Sequence, residues 1–245
     1  MKKVLGLAIS FCMLFGTVFA KGVYDGDIQL HLGLGLDSAK AVAEEPYSGK
    51  SAKMTLESGS TTVDFELSTW HLFDVNDLIG VGFNLGFSGG IGKTSKMVMT
   101  NEFDGRTLSS VSMPSDGLSF AGHFNGLIGP AVGFTLNDVI KFDLAVGLAY
   151  GFDLYSYAIT YKYEDRYGSY ENTTGDAFMI FGAGFGCDVQ AKFFPKSVVS
   201  PVLGYRLSSI FSSEVITSDE NSSSGNWDSV NFIANEIYLG VSFNW

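Results

Sequence analysis

Between Ile140 and Leu154 the chain alternates without a break. Ile140, Phe142, Leu144, Val146, Leu148, Tyr150, Phe152 and Leu154 fill the even positions. Lys141, Asp143, Ala145, Gly147, Ala149, Gly151 and Asp153 fill the odd ones. Successive side chains of a strand point to opposite faces, so this segment has one wholly apolar face and one that is polar or small. Seven further segments carry the same period. Ile28, Leu30, Leu32, Leu34 and Leu36 oppose Gln29, His31, Gly33 and Gly35, and Val63, Phe65 and Leu67 oppose Asp64, Glu66 and Ser68. Ile79 to Phe87, Phe120 to Phe134, Met179 to Phe193, Leu203 to Phe211 and Ile237 to Trp245 complete the set. In the second of these eight segments the phase is expected to slip at Ser68-Thr69, where a bulge would turn Trp70 and Leu72 to the apolar side.

The breaks between segments alternate in length. Residues 74–77, 137–138 and 195–197 read as short turns, whereas 37–61, 88–117, 163–176 and 212–229 read as long loops. Short turns at one end and long loops at the other are the mark of a transmembrane β-barrel. A soluble barrel would alternate too, but its charged face would be the outer one. Here the polar face is crowded with Gly and Ala, which suits a narrow lumen, and the other is rich in Phe and Leu, which suits lipid. The expected fold is all-β: an eight-stranded antiparallel transmembrane β-barrel with short periplasmic turns and long extracellular loops.

Composition narrows the function classes. Aromatic content of 14% beside 17% charge argues against disorder. Acidic residues outnumber basic ones 26 to 15, which excludes nucleic acid as a partner, since phosphate binding needs Lys and Arg. Met1-Lys2-Lys3, an apolar run from Val4 to Val18 and the small Ala20 read as a secretory leader over residues 1–20, cleaved between Ala20 and Lys21. Residues 21–245 would then form one barrel domain. Cys12 leaves with the leader, so Cys187, at lipid-facing parity, has no partner and no disulfide framework is expected.

The last residues are Tyr238-Leu239-Gly240-Val241-Ser242-Phe243-Asn244-Trp245. They resemble the C-terminal assembly signal of bacterial outer-membrane barrels, with Tyr238 at the polar position, Gly240 at the glycine, and Phe243 and Trp245 as the closing aromatics. The architecture resembles the small eight-stranded outer-membrane group that includes OmpA-, OmpX- and OmpW-type proteins. That resemblance implies placement in the outer membrane, contact with its lipid, and recognition by the barrel-assembly machinery during biogenesis. It implies a monomer acting through its loops on an extracellular ligand that the sequence does not identify, in binding, adhesion or an envelope-structural role. An OmpW-like narrow channel for small or apolar solutes is the alternative, and a lipid-modifying enzyme the second.

Eight strands leave an interior only wide enough for side chains to fill, which excludes a wide pore. Parity puts Asp64, Glu66, Asp143, Asp153, Asp188 and Glu236 in that lumen, with Lys141, Lys192 and Arg206 as counter-charges. Paired, they form a structural plug; the excess of carboxylates also fits a cation-preferring path. Arg206 is expected to pair with Asp188 or Asp153. His31 and His123 share the lumen parity and His71 lies near a short turn, but a catalytic triad is recognised by geometry and no enzyme activity is expected. The Gly-x-Gly runs of 182–186 lack a following helix, so they cradle no phosphate. The acidic loop residues Glu214, Asp219, Glu220 and Asp228 match no calcium-loop spacing, and neither cofactor nor metal is expected.

Overall fold

The computed structural model describes residues 24–113, 119–165, 168–212, 215–217 and 227–245. The expected leader, with Ala20 and Lys21, lies outside them, as do Glu214, Asp219 and Glu220. Ten strands follow in order: β1 (Tyr24–Tyr47), β2 (Lys50–Asp74), β3 (Ile79–Phe103), β4 (Arg106–Met113), β5 (Ala121–Thr135), β6 (Ile140–Asp165), β7 (Gly168–Phe193), β8 (Val199–Ser212), β9 (Val215–Thr217) and β10 (Ser229–Asn244). Eight of them close a ring, β1-β2-β3-β5-β6-β7-β8-β10 and back to β1, and every pairing in it is antiparallel. The short β4 adds to β3 and the three-residue β9 adds to β7, both above the ring.

Which face is outside decides the solvent. Leu30, Leu32, Leu34 and Leu36 are each more than half exposed, as are Phe65, Leu148, Phe185, Ile237 and Leu239, while Asp64, Asp153 and Asp188 are wholly buried. A soluble barrel has the opposite arrangement. With the ring closed, none of the eight strands presents a free edge to lipid, where an unpaired backbone group costs several kcal/mol; the β5–β6 ladder skips only Gly129 and Pro130. Phe87, Phe124, Phe152 and Phe181 stack neighbour to neighbour on this outer face, with ring centroids 6.2, 6.1 and 5.9 Å apart across three strand pairs. Such girdles mark the rim of a lipid-facing band.

Three of the four long segments read as loops are largely extended strand, and the fourth holds the three-residue β9. β1, β2, β3, β6 and β7 run for 24 to 26 residues, whereas a strand needs only about 10 residues to cross a bilayer. β1 and β2 stay paired up to Tyr47 and Lys50, and β3 turns back into β4 at Asp104-Gly105. Both tips have positive φ at two successive residues: Ser48 (51°) with Gly49 (77°), and Asp104 (51°) with Gly105 (74°). Those angles are what a two-residue type I′ hairpin requires. Asp104 N–H also donates to the Ser51 carbonyl at 2.9 Å, tying the two tips together.

The alternation inverts where the chain leaves the membrane. On β1 the outward residues are apolar up to Leu36. Beyond it Ala39 and Ala41 turn inward and are buried, while Lys40 faces out. Above this boundary the protein is built like a soluble barrel, apolar inside and polar outside, which is why a search for one continuous apolar face ends there. Lys40 bonds Glu57 across the hairpin at 3.0 Å and holds its carboxyl below the usual carboxylate range, a contribution present at neutral pH and lost as pH falls through that lowered value. Both groups are exposed, so solvent screening keeps it small.

The bulge expected at Ser68-Thr69 is absent. Register runs unbroken through Ile28↔Thr69 and Thr69↔Leu85, and the irregularity on this strand lies at Gly59/Ser60. Trp70 and Leu72 therefore point inward, where Ala131 and Ala145 leave them room. In a Cys187→Ser background, a cysteine in place of the exposed Ser112 should be labelled on intact cells by a membrane-impermeant maleimide, and one replacing Asn137 should not. Labelling at 137 alone would reverse the orientation.

Candidate functional site

The barrel interior is layered from the periplasmic turns upward. In the lowest layer the Lys192 ammonium bonds Asp27 and reaches Asn244 Oδ1 at 3.2 Å. Asp27 also accepts from Gln29 Nε2 and Ser242 Oγ, both at 2.8 Å, and from the Trp70 N–H at 3.2 Å. Lys141 bonds Asp25 and lies 3.6 Å from Asp143, which in turn accepts from Gln190 Nε2 at 3.0 Å. Trp70 and Leu72 fill the space beside these pairs.

Arg206 holds the middle layer. Its Nη2 bonds Glu66 and, at 2.8 Å, Asp188, which stands opposite it in the β7–β8 register. Tyr238 donates its hydroxyl to Asp188 at 2.6 Å and stacks on His31, with centroids 4.2 Å apart and planes at 14°. His31 Nδ1 lies 3.2 Å from Glu66, and its Nε2 donates to Gln29 at 2.8 Å. Ser88 donates to Glu236 at 2.9 Å.

His123 centres the upper layer. Its Nδ1 is 3.0 Å from Asp37 and its Nε2 3.6 Å from Asp64, and Asp153 stands opposite it in the β5–β6 register. Asp153 belongs to this layer, so the expectation that it could pair with Arg206 is corrected: Glu66 takes that place. Above lies an apolar core that includes Leu56, Met97, Phe178, Ile210, Trp227 and Phe232.

All nine charged residues assigned to the lumen are buried within it: Asp64, Glu66, Lys141, Asp143, Asp153, Asp188, Lys192, Arg206 and Glu236. Asp27 and Asp37 were missed, because one precedes the first apolar residue of its strand and the other was assigned to a loop. Their odd numbers continue the inward parity of Gln29 and His31, and that signal was available. The residues expected to form an assembly signal have structural places as well. Tyr238 is buried in the Arg206 layer, and a Cβ at Gly240 would stand 2.1 Å from the His31 ring and 2.4 Å from the Leu30 carbonyl, so only glycine lets β10 pass the imidazole. Phe243 and Trp245 face outward at the periplasmic rim. The exposed Asp228 accepts the Glu44 N–H at 2.5 Å, and among the described residues no group of His, Cys, Asp and Glu has the arrangement of a metal site.

No protein-family model and no curated protein sequence matches the chain. Solved structures do resemble it. The attachment invasion locus protein Ail of Yersinia pestis aligns over 91% of this chain and 99% of its own, at 12% identity and TM-score 0.38. The outer membrane protein OprG from Pseudomonas aeruginosa aligns over 91% and 98%, at 9% identity and TM-score 0.42. The outer membrane protease OmpT from Escherichia coli aligns over 91% and 96%, at 8% identity and TM-score 0.41. The closed ring, the apolar exterior and the charged, filled interior are the features that define the chain. It is a transmembrane β-barrel.

The charge layers set its stability. Removing one member of a buried ion pair leaves the other uncompensated, at about 3–5 kcal/mol. Arg206→Met should lower stability to urea in lipid vesicles by that amount. Adding Asp188→Asn should recover only part of it, because Glu66 stays unpaired. An unchanged midpoint combined with altered ion conductance would show that water, and not Arg206, compensates these carboxylates.

Proposed function

We propose that this outer-membrane barrel is a surface-binding protein that works through its extracellular strands and not through its lumen or by catalysis. The observation that carries the reading is the filling of the interior. The Phe178–Phe232 apolar core closes it above, and beneath that core charged and polar side chains occupy the lumen, with Trp70 and Leu72 packed beside the lowest pairs. The same strands continue beyond the lipid as a rigid, polar-faced extension, and binding groups on a rigid scaffold are where recognition concentrates. Neither interior imidazole sits on a serine or threonine hydroxyl: His31 is held between Gln29 and Glu66, and His123 between Asp37 and Asp64. This supports a non-enzymatic role.

A second reading, a narrow cation path, is favoured by one observation: Asp37, Asp64 and Asp153 share a layer in which His123 is the inward base among the described residues. Planar-bilayer recording of the refolded barrel separates the two. Silence is expected, and stable cation-selective openings that vanish in Asp64→Asn would establish the path instead. In parallel, replacing residues 43–54 with a two-residue turn should leave heat-modifiable folding intact and abolish adhesion of expressing cells to matrix-coated surfaces. Full adhesion by the shortened protein would remove the β1–β2 extension from the binding surface.

A further inference from the structure

The lipid-facing wall is not uniform. Across β1, β2 and β3, in its periplasmic half, lies a groove of about 360 Å³ whose walls are Ile28, Leu67, Leu85, Phe87 and Trp245. At its foot is a polar cluster. His71 faces outward there, stacked between Phe83 (centroids 4.6 Å) and Tyr24 (5.9 Å). Its Nδ1 bonds the Tyr24 hydroxyl, and its Nε2 is 3.0 Å from Thr69 Oγ1. Thr69 in turn donates to the Asp27 carbonyl at 2.7 Å.

The direction of this relay follows from counting hydrogens. A carbonyl only accepts, so the single hydroxyl hydrogen of Thr69 goes to Asp27, and His71 Nε2 must donate to Thr69. In the neutral imidazole Nδ1 then accepts from Tyr24. The relay ends on the phenolic oxygen of Tyr24, which keeps its lone pairs and has no hydrogen left to give. Tyr24 is 39% exposed and stands at the periplasmic rim.

We propose that this groove is a binding site for one ethanolamine phospholipid of the periplasmic leaflet. The groove is continuous with the lipid-facing belt, so an acyl chain is what covers it, lying along Leu67, Leu85 and Phe87 with Trp245 as its edge. The open acceptor at Tyr24 lies at headgroup depth, and an ammonium group supplies the charge-assisted donor it lacks. A headgroup without an amine supplies weaker donors or none.

The test is native mass spectrometry of the full-length mature barrel, extracted from membranes and given equal phosphatidylethanolamine and phosphatidylglycerol. One phosphatidylethanolamine is expected to survive detergent exchange. Leu85→Trp and Leu67→Trp, which fill the groove from the outside, should each reduce its occupancy by roughly tenfold, the effect of losing a few buried methylenes. Phe185→Trp, on the far wall, should leave it unchanged, and Tyr24→Phe should retain a lipid but lose the headgroup preference. Heat-modifiable migration checks that each variant is folded. Equal loss in Phe185→Trp, or no retained lipid in the parent protein, would overturn the site. Equal retention of the two lipids by the parent would overturn the headgroup assignment.

Discussion

Everything in this molecule depends on the closure of the strand ring. The pairings of β1 with β10 and of β2 with β3 leave the barrel no free edge within the lipid, and only such a closed ladder satisfies every backbone N–H and C=O where water is absent. Closure at eight strands also fixes the width of the interior, too small to stay empty and just large enough for side chains. The outward face is then free to be apolar, and the inward face has to pack.

Packing that interior with charge is possible because the pairs are distributed in depth. Lys192 and Lys141 answer Asp27, Asp25 and Asp143 near the periplasmic end, Arg206 answers Glu66 and Asp188 in the middle, and His123 meets Asp37 and Asp64 above. Tyr238 joins two systems, since it both bonds Asp188 and stacks on His31. A residue of the C-terminal strand therefore also orders the centre of the lumen. An apolar core closes the lumen above the His123 layer, and Trp70 and Leu72 pack beside the lowest pairs.

The extension above the membrane obeys the opposite rule. Ala39 and Ala41 take the inward positions that Gln29 and His31 hold lower down, and Lys40 takes the outward position of Leu30 to Leu36. One strand thus serves two solvents by exchanging the character of its faces without changing its register. The Ser48-Gly49 and Asp104-Gly105 turns close the hairpins far from the bilayer and hold the extension as sheet.

The ring, its strand count in the membrane and the identity of the lumen charges were legible from residue order, because a period of two states the facing of every side chain once one face is known. Asp27 and Asp37 carry the same parity, and only the placing of strand ends hid them. The length of β1 to β3, β6 and β7 was not legible from an apolar face, because that face inverts where lipid gives way to water. The inward facing of Trp70 and Leu72 was legible too, since their even numbers continue the parity of Asp64, Glu66 and Ser68; only the expectation of a bulge hid it, and the small Ala131 and Ala145 give them room. Pairings such as Arg206 with Glu66, and the relay from Thr69 through His71 to Tyr24, join residues whose depths are set by the register between strands. Parity within one strand carries no information about that register. The sequence by itself determined which side of the wall each residue faces; the tertiary structure decided which residues meet, because shear and closure fix the heights at which neighbouring strands pass.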